Sequence, residues 1–301
     1  MSKRHPIVAV TGSSGAGTTT VKKAFEHIFH REKIHPAVVE GDSFHRYNRK
    51  QMRAEVKKAI EEGRNLSHFG TEGNLFDKLE ELFRVYSETG GGKRRYYLHS
   101  AEEAEPYKEL GLGPGEFTPW EEIEPNTDLL FYEGLHGGLK TEDIDVAQHV
   151  DLLVGVVPIV NLEWIQKIHR DNSERGYSAD NIVETILRRM PDYVRHVTPQ
   201  FSRTDINFQR VPTVDTSNPF IARDIPSPDE SFVVIRFRDP ERFDIDFPYL
   251  LSMLKDSFMS RPNSLVVPGG KMGFAMELIL KPIVHNLVTT GRAGRNGSLP
   301  R

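Results

Sequence analysis

The run IVAVTGSSGAGTTT, residues 7–20, joins a short apolar stretch to a turn of glycine, serine and threonine. Val21, Ala24, Phe25, Ile28 and Phe29 follow at the spacing of one helix face. A second apolar run, residues 37–39, ends in Glu40-Gly41-Asp42. Strand, glycine turn, amphipathic helix and strand make a βαβ unit, which implies an α/β fold with a parallel sheet.

The turn has the composition of a phosphate cradle. Glycines let backbone N–H groups turn inward around a polyphosphate, and the helix N-terminus adds partial positive charge. Gly12, Ser13, Ser14, Gly15, Ala16, Gly17, Thr18, Thr19 and Thr20 are therefore the candidate nucleotide-binding residues. Thr19 falls where the Walker A pattern places the hydroxyl that reaches magnesium. Thr18 stands where that pattern has lysine, so cations for the β- and γ-phosphates must come from elsewhere. A ligand-free strand-to-helix turn is the plain alternative. A dinucleotide site is another, but Gly12, Gly15 and Gly17 do not give G-x-G-x-x-G.

Further along, residues 129–132 and 152–157 are near-continuous apolar runs, as expected of strands covered on both faces. Residues 231–237 and 264–267 predict further strands. Helices are expected over 162–171 and after Ser178, a candidate N-cap, with Ile182, Val183, Ile186, Leu187 and Met190 facing inward. Residues 46–64 are polar and helix-prone, whereas 87–122, rich in glycine, proline and charge, read as surface loops. Periodicity is lost from Thr289. Residues 1–288 are read as one domain and 289–301 as a disordered tail.

Composition narrows the function. With 301 residues, 38% of them hydrophobic, the chain can bury a sizeable core. A net charge of -4 gives no support to a nucleic-acid partner. The absence of cysteine excludes disulfides, zinc thiolates and thiol nucleophiles. No run approaches the roughly 18–20 apolar residues of a membrane span, and the opening residues are too briefly apolar for a secretory signal. A soluble cytoplasmic protein without a membrane partner is the expectation.

Asp42 and Glu133 each follow an apolar strand directly. In open α/β sheets ligands bind beyond the carboxyl ends of the strands. Phosphoryl transfer needs one group to orient or deprotonate a hydroxyl and another to hold magnesium. Lys167, Arg170, Asp171 and Glu174 share the polar face of a helix that runs on through Arg175 into Gly176. That face is the leading source of the missing charge, and a solvated helix surface is its plain counterpart. Asp171 is a third acid, for metal or for base. His45, Arg46, Arg49 and Arg53 follow Asp42, and Lys93, Arg94, Arg95, Tyr97 and His99 form a second polar cluster. Either group suits an anionic acceptor, since Arg forks match phosphate oxygens; the second equally suits a solvated loop. The twelve histidines lack metal-ligand spacing.

The strings GSSGAGTTT, EGDSFHRYNR, FYEGLHGG, VPIVNLEWIQKIHRDNSERGY and QFSRTDINFQRVPTVDTSNPF together resemble the phosphoribulokinase/uridine kinase family, in its short bacterial phosphoribulokinase class. The resemblance spans residues 5–283. It implies a P-loop kinase fold with a mixed, mostly parallel sheet, related to the nucleoside monophosphate kinases, and a phosphate loop that likewise lacks the lysine. It also implies phosphorylation of D-ribulose 5-phosphate at O1 by ATP with Mg2+, a step of the Calvin cycle of carbon fixation. By the same resemblance Asp42 is the base and Glu133 the magnesium carboxylate beside Thr19. Asp171 is a further acid, and Lys167 stabilises the transferred phosphoryl group. His45, Arg49, His99, Arg170 and Arg175 match positions for sugar phosphate or catalysis. Similar bacterial enzymes are octamers activated by NADH and inhibited by AMP, with Arg31, Arg236 and Arg261 at positions tied to effectors. A uridine kinase-like activity is the alternative: it shares the pattern of residues 170–176, but keeps the loop lysine and needs a pocket for the base.

Overall fold

The computed structural model describes residues 4–12, 18–173, 178–221 and 224–296. The expected βαβ unit forms from β1 (Ile7–Gly12), α1 (Thr18–Glu32) and β2 (Pro36–Glu40). Then come α2 (Arg49–Glu61), α3 (Phe76–Thr89), β3 (Lys93–Arg94), α4 (Ala101–Ala104) and β4 (Glu121–Glu122). Next are β5 (Leu129–Gly134), β6 (Leu152–Val157), α5 (Val160–Ser173), α6 (Ala179–Asp192) and β7 (Ile206–Pro212). The chain closes with β8 (Ser231–Phe237), α7 (Phe247–Met253), β9 (Phe258–Arg261), β10 (Ser264–Pro268) and α8 (Met272–Arg295).

The main sheet has eight strands in the order β2-β5-β1-β6-β7-β8-β10-β9. From β2 to β7 neighbours are parallel; β8, β10 and β9 continue it antiparallel. β1 is buried throughout and apolar from Ile7 to Val10 because its two faces feed two cores. Val8 and Val10 meet Phe25 and Ile28 of α1 within a core that Met276, Ile279 and Ile283 of α8 share. Ile7 and Ala9 join the core of Leu79, Phe83 and Tyr86 on α3. Each fully buried Phe or Leu contributes about 1.5–3 kcal/mol of transfer free energy.

Chain order reverses across β1, since β2 and β5 lie on one side and β6 and β7 on the other. Such a reversal opens a crevice at the carboxyl ends of the strands. At that end Gly12 lies so close to β6 that a Cβ would come 2.6 Å from the carbonyl oxygen of Val156. No side chain fits there.

Three expectations need correction. Residues 87–122 are not all loop: β3 pairs antiparallel with β4, and Ser100 caps α4 by accepting from the Glu103 amide. On α6 Ser178 is the N-cap, as expected, and Ile182 and Ile186 are buried. Leu187, however, is 52% exposed rather than inward. The helix α8 continues past Thr289 to Arg295, in place of a tail without structure. Arg292 and Arg295 hold it by donating to Asp128 at 2.7–3.3 Å. Gly291 is buried there, where a Cβ would meet Pro6 at 3.0 Å.

Candidate active site

Gly12, Asp42, His45, His99, Glu133, Lys167 and Arg170 line one cavity of about 1060 Å3 at the carboxyl ends of the strands. After β2 the chain makes one short helical turn, Gly41–Phe44, which carries Asp42. Gly41 permits it: a Cβ would lie 2.6 Å from Tyr132 Oη and 2.8 Å from Gly134 Cα. The turn therefore sits tightly over the end of β5, next to Glu133.

The Asp42 carboxylate stands between two imidazoles, 3.6 Å from His45 Nε2 and 3.7 Å from His99 Nε2. His99 is exposed, and His45 is buried. The His45 ring packs on that of His68 with centroids 4.0 Å apart. Burial, then the neighbouring His136, His99, Arg189 and Arg95, holds the pKa of His45 down to about 3. His68 is also held to about 3, by burial first and then by His45 and Arg189. Both rings are neutral at pH 7, so they offer hydrogen bonds without cancelling the charge of Asp42.

Across the cavity α5 presents Lys167 and Arg170. Asp171 is 4% exposed and holds both: Lys167 Nζ donates to Asp171 Oδ2, and Arg170 Nε lies 3.4 Å from Asp171 Oδ1. Burial lowers the pKa of Lys167, against the opposing pull of Asp171. Asp171 is not among the residues lining the cavity.

Glu133 is in register with Glu40 on the neighbouring strand. Lys22 of α1 pairs with Glu40 at 3.2 Å. Burial opposes its charge, but Glu40 and Glu133 outweigh burial and raise its pKa. One or two carboxylates beside a phosphate loop suit Mg2+, which takes its remaining oxygens from phosphates and water. Among the described residues no group of three potential metal ligands forms.

Other candidates lie apart. Arg49 opens α2, with its guanidinium 6.0 Å from the Tyr97 ring and a bond to the His99 carbonyl at 3.1 Å; it stands outside the cavity lining. Thr20 on α1 is also outside the lining. Ser13, Ser14, Gly15, Ala16, Gly17, Glu174 and Arg175 lie outside the described residues, as do the side chains of Thr18 and Thr19. Arg31 pairs with Glu277 of α8 at 3.3 Å. Arg236 and Arg261 face Ser264 from the two strands beside it. None of these three lines the cavity.

Sequence reasoning missed His68, Arg189 and Lys22, all of which line the cavity. Arg189 left a signal, since it falls three and seven residues after the buried Ile186 and Ile182. A cation on an apolar helix face implies a partner inside. His68 left none, because the stretch around it has no strand or helix period.

With this geometry, the chain belongs to the phosphoribulokinase/uridine kinase family, whose pattern matches residues 7–217. Its fold is that of a P-loop kinase, and it is a phosphotransferase. A chromosomal phosphoribulokinase of Cupriavidus necator is 62% identical over 96% of this chain and 97% of its own length. A probable phosphoribulokinase of Escherichia coli is 60% identical over 96% and 98%. The structure of phosphoribulokinase from Rhodobacter spheroides superposes with a TM-score of 0.88 at 52% identity, over 97% of this chain and all of that one. Among the described residues no helix is long and apolar enough to cross a membrane.

Proposed function

We propose that this chain transfers the γ-phosphoryl group of ATP to O1 of D-ribulose 5-phosphate, giving ribulose 1,5-bisphosphate and ADP. The observation that carries the reading is Asp42, flanked by two imidazoles, facing the cations of α5 across one cavity. The phosphoribulokinase relatives supply the acceptor.

In this reading Asp42 accepts the proton of the O1 hydroxyl as the oxygen attacks the γ-phosphorus. The bond to the β-phosphate oxygen breaks and ADP leaves. Lys167 and Arg170 meet the charge that spreads over the transferred group, a service the loop lysine performs elsewhere. Asp171 aims those two cations. His45 and His99, with Arg49 and Arg175, hold the acceptor and its phosphate. Glu133 and Thr19 are the residues that would hold the Mg2+ of MgATP, which would neutralise charge on the phosphates. Octameric assembly and activation by NADH through Arg31, Arg236 and Arg261 belong to the same proposal and rest on the family resemblance alone, whereas cytoplasmic residence rests on the sequence's lack of a long apolar run.

A panel of acceptors with MgATP tests it. Ribulose 5-phosphate should be phosphorylated and uridine left untouched. Turnover of uridine with ribulose 5-phosphate ignored would overturn the reading in favour of a uridine kinase.

A further inference from the structure

Arg95 belongs by sequence to a basic strip suited to an anionic ligand, and the fold turns it away from the cavity. It is not among the residues lining that cavity. Its guanidinium lies 3.7 Å from the ring centre of Phe117 and 4.8 Å from that of Trp120. Nε donates to the Ser43 carbonyl at 2.8 Å, and one terminal nitrogen donates to the His45 carbonyl at 2.7 Å. Burial brings its pKa down to about 10, which leaves it charged at neutral pH.

The two carbonyls belong to the segment that presents Asp42 and His45. The Gly41–Phe44 turn lacks a side-chain cap, and the bond from the His45 amide to the Asp42 carbonyl, at 3.2 Å, is a weak closure. On one side the segment is held by the Leu75 amide donating to the Phe44 carbonyl at 2.8 Å; the carbonyls on either side of Phe44 are left to Arg95. A planar fork bound edge-on to the carbonyls either side of Phe44, with aromatic rings about its faces, fixes both position and rotation. Phe44 itself packs edge-on against Trp120, with centroids 5.7 Å apart. Arg94 adds a bond to the Val38 carbonyl at 3.2 Å, so β3 is also tied to the middle of β2.

We infer that Arg95 is a positioning residue for phosphoryl transfer: clamped among Phe117, Trp120 and the Ser43 and His45 carbonyls, it sets the direction of the Asp42 carboxylate. This rests on Asp42 acting as the base. Lysine cannot replace it, because an ammonium offers neither the fork nor the flat faces.

The test is a double-mutant cycle in the full-length enzyme with MgATP and ribulose 5-phosphate. Arg95→Lys should lower kcat at least tenfold, with KM for ATP within twofold and little change in the unfolding midpoint. In the Asp42→Asn background the same substitution should change the residual rate less than twofold, because nothing remains to aim. An undiminished penalty in that background would overturn the inference, and so would a rise in KM for ribulose 5-phosphate with kcat intact. Asp42→Asn alone checks the underlying assignment separately: normal turnover there sinks the base, whatever Arg95 does. Should Arg95→Lys fail to fold, Phe117→Leu keeps both hydrogen bonds and weakens the stack. It should lower kcat about threefold, again only while Asp42 is present.

Discussion

Residues 93–95 and the polar face of α5 offer closely spaced cations of similar kind, and the fold uses them differently. Lys93 pairs with Glu122 at 3.5 Å, Arg94 with Glu121 at 3.1 Å, and Arg95 is taken up by two carbonyls and two rings. Arg94 lines the cavity but is taken up by Glu121 and the Val38 carbonyl, whereas Lys167 and Arg170 line it held by a buried acid on their own helix. A guanidinium whose fork meets main-chain oxygens, with rings packed about it, points away from the cavity. Lys167, paired with a carboxylate one helical turn away, is pre-aimed at an incoming phosphate.

The contrast can be broken by substitution at equivalent positions. Lys167→Met should lower kcat by about 10²–10³, the cost of losing one preorganised charge in such a site, while KM for ATP moves little. Lys93→Met should leave both constants within about twofold, because an exposed ion pair is worth about 0–1 kcal/mol. Equal losses from the two, measured by steady-state kinetics, would erase the distinction.

A smaller effect is expected at the acceptor end. Arg49→Gln should raise KM for ribulose 5-phosphate about tenfold, the equivalent of about 1.4 kcal/mol, and spare KM for ATP. An effect on ATP alone would remove Arg49 from the acceptor site.

The buried imidazoles give an effect of another kind, read as stability and not as rate. His45, His68 and His136 have folded pKa values lowered to about 3, in each case chiefly by burial. The unfolded chain takes up protons near the ordinary 6.5, whereas the folded one does not until near 3. Stability from the neutral rings is thus complete above pH 6.5 and lost as pH falls through that window. The loss is on the order of 1 kcal/mol per ring and pH unit. The unfolding midpoint should drop by several degrees between pH 7 and pH 5. A flat profile would mean that the three rings are hydrated and not buried.

What sequence made legible follows from period and chain order. Apolar runs marked β1, β5, β6, β8 and β10, and Asp42 and Glu133 were placed by standing directly after strands. Lys167 and Arg170 were found because the loop lacks a lysine at Thr18. The rest depended on contacts between distant segments. Residues 289–295 have weak helical propensity, and Arg292 and Arg295 reaching Asp128 decide their state. The two-residue strands β3 and β4 are too short to show a period, which hid the inward turn of Arg95. His68 reaches His45 only through tertiary packing.

The central claim is that Asp42 primes the acceptor hydroxyl while the phosphate loop binds ATP independently of it. Single-turnover phosphoryl transfer by Asp42→Asn, with the MgATP dissociation constant measured alongside, tests this most directly. The account predicts a rate lower by about 10²–10⁴ with nucleotide affinity within twofold of the parent. A parental rate, or a loss explained wholly by weaker nucleotide binding, would contradict it.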